Sequence, residues 1–111
     1  MTESNKIDAV LLDDDFLVHM TWKMVAKRLG KNLTVFESVE KLRENLAHIP
    51  KSTPVYIDSG LGNGVRGEDI AQQLFKDGYQ NLYLATGRSL EELPELPWIK
   101  KVVGKEPPWE G

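Results

Sequence analysis

Four short apolar runs in this chain each stop at a polar residue, and no other feature narrows the fold so far. Val10-Leu11-Leu12 runs into Asp13-Asp14-Asp15. Val55-Tyr56-Ile57 runs into Asp58, and the chain then turns through Ser59 and Gly60. Leu82-Tyr83-Leu84-Ala85 runs into Thr86, and Lys101-Val102-Val103 leads through Gly104 to Lys105. Continuous rather than alternating apolarity suits strands covered on both faces, as in parallel sheets wrapped by helices. In an open sheet of that kind the carboxyl ends of the strands line the ligand crevice. If the four runs are parallel neighbours, an acidic cluster, an aspartate, a threonine and a lysine converge.

Between the runs lie helical patterns. The first strand is expected over Ile7 to Leu12. Asp14 or Asp15 can then cap a helix from Phe16 to Leu29, with Val18, Trp22, Val25 and Leu29 on its inner face and Gly30 as its stop. Leu33 to Phe36 reads as the second strand. Ser38 caps the next helix, which carries Val39, Leu42 and Leu46 inward and ends before Pro50. After the third strand comes the glycine-rich stretch 60–67. A helix follows from Glu68 to Asp77, with Ile70, Ala71, Leu74 and Phe75 inward. Ser89 to Leu93 leaves room for about one helical turn before Pro94 and Pro97 intervene, and no helix is expected after the fifth strand. Strand–helix alternation with right-handed crossovers implies a doubly wound α/β fold. The expected form is a flavodoxin-like, five-stranded parallel sheet in the order 2-1-3-4-5, with a reduced fourth helix and no fifth. Its crevice falls between the first and third strands. Residues 7–106 form one domain, flanked by a flexible N-terminus, 1–6, and a tail, 107–111.

Composition excludes several classes. The chain has 111 residues, of which 41% are hydrophobic, enough for one core and not for two. A net charge of −3 with no basic helix face argues against direct nucleic-acid binding. There is no cysteine, hence no disulfide framework and no thiolate metal site. The N-terminus lacks a signal-peptide core, and no apolar run approaches the ~20 residues of a membrane span. A cytoplasmic protein is expected.

Carboxylates brought together repel and raise one another's pKa, a conflict that a hard divalent cation resolves. Mg²⁺ binds oxygen ligands, through one or two carboxylates, waters and a phosphate. Asp13, Asp14 and Asp58 are the candidate ligands. The plainer alternative is that Asp13 to Asp15 only cap a helix, and Asp58 at a neighbouring strand end weighs against it. Asp58 is then either a ligand only or also a nucleophile that becomes an aspartyl phosphate. Phosphoryl transfer asks mainly for positioning and charge neutralisation. Thr86 and Lys105 are the right types to supply a hydroxyl and an ammonium. Gly62-Asn63-Gly64-Val65-Arg66-Gly67 spells G-x-G-x-x-G, but it follows the wrong strand for a dinucleotide site and reads as a loop. His19 and His48 lack metal-ligand spacing and read as surface or helix-side residues. Trp22 reads as core; Trp98 and Trp109, in a proline-rich region, do not.

The set resembles the receiver domain of two-component response regulators, over nearly the whole chain from Ile7 to Pro107. The resemblance aligns Asp13 and Asp14 with the family's acidic pair, Asp58 with its phosphoacceptor, Thr86 with its hydroxyl residue and Lys105 with its lysine. It implies phosphoryl transfer to Asp58 from a histidine kinase or a histidine phosphotransfer protein, with Mg²⁺ on Asp13, Asp14, Asp58 and the backbone carbonyl of Gly60. The modified domain would then change its affinity for a partner. The chain departs from the pattern in three places. The proline that follows the phosphoacceptor in the family is replaced by the glycine-rich loop. Val102 stands where the switch aromatic is expected. Glu106 follows the lysine, with proline delayed to Pro107. The reduced last helices predict that the face of strands 4 and 5, with Trp98 and Trp109, packs on a downstream partner, a missing segment or a second copy.

Two rivals stand beside this reading. One is a receiver fold used as a phosphorylation-independent interaction module, suggested by Val102 and the short last helix. The other is a haloacid-dehalogenase-type phosphatase with Asp13 as nucleophile and Asp15 as acid. That family needs acidic ligands after the lysine, where only Glu106 and Glu110 stand, and it leaves Asp58 without a role.

Overall fold

A computed structural model describes residues 7–61, 64–86 and 96–109. Its elements are β1 (Ala9–Leu12), α1 (Phe16–Leu29), β2 (Leu33–Phe36), α2 (Val39–Glu44) with a 3-10 turn over Leu46–His48, β3 (Val55–Asp58), α3 (Gly67–Lys76), β4 (Leu82–Ala85) and β5 (Lys101–Val103). The five strands form one parallel sheet in the order β2-β1-β3-β4-β5, the expected doubly wound order. Residues 89–93, where the short fourth helix was expected, lie outside the described residues. No helix follows β5 among the described residues, and no described helix is long and apolar enough to cross a membrane.

Register sorts the side chains. Leu11 pairs with Tyr56, Tyr56 with Tyr83, and Tyr83 with Lys101, so these residues share one face. α1 covers that face: Trp22 is fully buried and meets the Tyr56 ring edge-on at 5.3 Å, and Tyr56 stacks on Tyr83 at 4.6 Å. The opposite face carries Val10, Leu12, Phe36, Val55, Ile57, Leu82 and Leu84. These join Leu42, Ile49, Ile70, Ala71, Leu74 and Tyr79 in the main core. Burying both faces explains the unbroken apolar runs of β1, where all four residues are buried. β5 is one of the two edge strands, with Lys101 exposed and Val102 and Val103 partly buried.

The helix ends follow the expected chemistry. The Asp15 side chain accepts the Leu17 N–H at the start of α1, and Gly30 closes α1 in the left-handed region at φ 71°. Ser38 caps α2 by accepting the Lys41 N–H at 3.2 Å.

Several details differ from expectation. The ladder starts at Ala9, and Asp8 just before it exchanges hydrogen bonds with Asn32. The inner face of α1 is rotated: His19, Trp22 and Ala26 are buried, whereas Val18, Val25 and Leu29 are only partly so. Phe75 is 46% exposed, one position further round α3 than the buried Leu74. Trp98 and Trp109, expected on a docking face, are each partly buried against residues of the chain itself. Trp98 lies against the main core and donates its indole N–H to the Glu68 carbonyl at 2.9 Å. Trp109 meets Trp22 edge-on at 6.1 Å.

Candidate functional site

The strand order reverses between β1 and β3, and the residues at their carboxyl ends are Asp13 and Asp58. Asp13 follows the last residue of β1, and Asp58 closes β3. Both are buried, Asp14 is exposed, and carboxylate oxygens of all three lie within 4.8 Å of one another. Such a cluster needs a counter-charge. Lys105, two residues past β5, supplies one. Its ammonium donates to Asp13 Oδ2 at 2.7 Å and to Asp58 Oδ1 at 2.8 Å. Burial works to lower the Lys105 pKa, but the hydrogen bonds to Asp13 and then Asp58, with their coulombic attraction, outweigh it and hold the ammonium above its ordinary 10.5.

The carboxylates are partly committed. Asp13 Oδ1 accepts the Asp15 N–H at 2.8 Å, and Asp58 Oδ1 takes a long bond from the Gly60 N–H at 3.4 Å. Among the described residues Asp58 Oδ2 accepts no hydrogen bond. Thr86 is buried directly after β4, its hydroxyl accepts from Ser59 Oγ at 3.0 Å, and its N–H bonds to the Val103 carbonyl. All five side chains expected at the site therefore lie along one edge of the sheet, at the ends of β1, β3, β4 and β5. Gly60 sits in a tight return: it bridges antiparallel to Arg66, and Leu61 N–H bonds to the Val65 carbonyl. The donor set fits a hard cation such as Mg²⁺, being oxygen throughout with one carboxylate open to solvent.

Sequence reasoning missed four contributors. His19 is buried and donates from Nε2 to the Asp13 carbonyl. Trp22 donates its indole N–H to the Lys105 carbonyl at 2.8 Å. Ser59 reaches Thr86. Gly67, read as loop, is the first residue of α3 and lies against the main chain of Asp58: a Cβ there would stand 2.0 Å from the Asp58 carbonyl oxygen. One signal was legible. Positions 19, 22 and 26 form a helical face as well spaced as 18, 22, 25 and 29.

The chain matches no protein-family model, and no curated protein matches its sequence. Several solved structures are similar. The N-terminal domain of a response regulator/sensory box/GGDEF three-domain protein from Carboxydothermus hydrogenoformans superposes with a TM-score of 0.69 at 16% identity, over 87% of this chain and 80% of that one. The response regulator StyR gives 0.66 at 17% identity over 92% of this chain, which spans about half (52%) of StyR. A CheY-like receiver domain protein from Methanospirillum hungatei JF-1 gives 0.65 at 17% identity, over 93% and 83% of the two chains. These structures give the chain the fold of a response-regulator receiver domain.

Proposed function

We infer that this chain is a phosphoacceptor, taking a phosphoryl group onto Asp58 from a phosphohistidine donor in the cytoplasm, with residues 7–106 as the receiving unit. The observation that carries this is the Lys105 ammonium shared between Asp13 and Asp58, with Asp14 in the same cluster. In the transfer a carboxylate oxygen of Asp58 attacks phosphorus, the donor's P–N bond breaks, and the leaving imidazole takes a proton from solvent. Asp58 Oδ2, which accepts no hydrogen bond among the described residues, suits the attacking role. Asp13, Asp14, Asp58 and the Gly60 carbonyl would hold Mg²⁺, which when bound neutralises charge on the phosphoryl oxygens. Lys105 would contact the phosphoryl group from the β5 side, and the Thr86 hydroxyl from the β4 side. The domain acts as a signalling element rather than a turnover enzyme.

The donor is a histidine kinase or a histidine phosphotransfer protein, and we assign its docking to α1. Phe16 and Leu17 are 70% and 71% exposed, Met24 is 68% exposed and Met20 45%. Phe16, Met20 and Met24 recur every fourth residue, and so form one apolar stripe that begins beside the carboxylates. A downstream partner or a further domain reads the modified state. Val102 favours a second reading, an interaction module without a phosphorylation switch, because its side chain packs on the core and offers no ring to reorient.

Incubation with phosphoramidate and Mg²⁺ followed by intact mass measurement separates the readings. A gain of one phosphoryl group that vanishes in Asp58→Asn is the expected result. No gain with any donor favours the module. Turnover of a phosphate ester that survives Asp58→Asn would favour the phosphatase.

A further inference from the structure

α1 reaches into the site with more than its capping aspartate. His19 and Trp22 are three residues apart, one turn along the buried face of the helix. Each aims a ring nitrogen at a main-chain carbonyl. His19 Nε2 meets the carbonyl of Asp13, and Trp22 Nε1 meets the carbonyl of Lys105 at 2.8 Å. A carbonyl only accepts, so Nε2 of His19 is the donor in this contact. The two residues held in this way are the two partners of an ion pair at 2.7 Å.

Lys105 has particular need of such a hold. It follows a three-residue edge strand, and no helix anchors the chain beyond it among the described residues. Its ammonium is fixed at one end by the carboxylates, and the Trp22 indole fixes its backbone at the other. The indole is itself set by rings on two sides, Tyr56 at 5.3 Å and Trp109 at 6.1 Å.

We propose that His19 and Trp22 are positioning residues, which hold Asp13 and Lys105 by their carbonyls and so keep the ammonium between Asp13 and Asp58. They touch neither phosphoryl donor nor metal. The inference rests on the phosphoacceptor reading only for what Lys105 does once it is placed, and the hold itself is tested without phosphoryl transfer.

The test is the rate at which an amine-acylating reagent labels Lys105 in the metal-free chain, read residue by residue by mass spectrometry. Exposed Lys101 serves as the internal reference. Trp22→Phe keeps a ring and deletes the N–H; it should raise Lys105 labelling about fivefold, the population released by losing one net hydrogen bond. His19→Phe should act in the same direction, and His19→Gln, which keeps a donor at the same reach, should restore protection. A folded Trp22→Phe chain with unchanged Lys105 labelling overturns the proposal, as does a His19→Gln chain that labels like His19→Phe.

Should Trp22→Phe not fold, the reciprocal measurement decides. Coupling works equally in both directions. Lys105→Met should therefore speed hydrogen exchange of the Trp22 indole N–H about fivefold, and an unchanged exchange rate overturns the hold. If the wild-type chain takes no phosphoryl group while these results hold, only the functional reading fails. If phosphorylation proceeds and labelling is indifferent to both rings, only the hold fails.

Discussion

Lys105 sits where three carboxylates would otherwise repel one another, and this makes its protonation a determinant of stability. Its ammonium is held above the ordinary 10.5. Between 10.5 and its folded pKa the folded chain keeps a proton that the unfolded chain gives up. Its contribution is therefore complete below pH 10.5 and is lost as pH rises through the folded value. Tyr56 acts with the same sign, because burial, and then the nearby Tyr83, push its hydroxyl above 10.0. We predict a urea midpoint that is level from neutral pH to about pH 10 and declines above it. The decline should be shallower in Lys105→Met. A midpoint that rises through this range would contradict the placement of the ammonium between Asp13 and Asp58.

At the scale of elements, the joints that aim strands and helices at the site should be its most sensitive parts. Gly67 lets α3 start against the main chain of Asp58, with no room for even one methyl group. Gly67→Ala must push α3 away from β3. It should cost about 3 kcal/mol in chemical denaturation, at the upper end of overpacking effects. It should also impair phosphoryl acceptance, because the displaced backbone is that of residue 58. Asp15 caps α1 through the Leu17 N–H at 2.9 Å. Asp15→Ala should cost about 1 kcal/mol, with modification of Asp58 otherwise intact. Abolition of that modification in a folded Asp15→Ala chain would instead give Asp15 a chemical role, as the phosphatase reading requires.

For the whole molecule, the question is which surface meets the donor. The α1 stripe is exposed beside the site, whereas Trp98 and Trp109 are engaged by the chain's own core and by Trp22. Met20→Lys places a charge on the stripe without touching a carboxylate. It should slow transfer from a phosphohistidine protein at least tenfold, the effect of losing about 1.4 kcal/mol of docking. Labelling of Asp58 by phosphoramidate should be unchanged. Equal slowing with both donors would move the docking surface elsewhere.

What the residue order determined by itself was the alternation of strands and helices, the order of the sheet, and the polar residue that follows each strand. The alternation and the terminal polar residues are local facts, and the order is the usual solution for such an alternation. An unbroken run such as Val10-Leu11-Leu12 reports burial on both faces, and the residue after it falls on the edge of the sheet wherever the strand pairs. That is why Asp13, Asp14, Asp58, Thr86 and Lys105 could be named as one set. What only the tertiary structure decided were contacts whose partner is main chain or lies far along the sequence. Trp22 and Lys105 are 83 residues apart, and the acceptor is a carbonyl that every residue carries. His19 reads from the sequence as a surface or helix-side residue because nothing local marks the carbonyl of Asp13 as its partner. Gly67 passed for a loop residue because a close approach between backbones leaves no pattern in side chains. Trp98 and Trp109 looked unpartnered for the same reason: what covers them comes from Glu68 and Trp22, brought near by the wrapping of helices around the sheet.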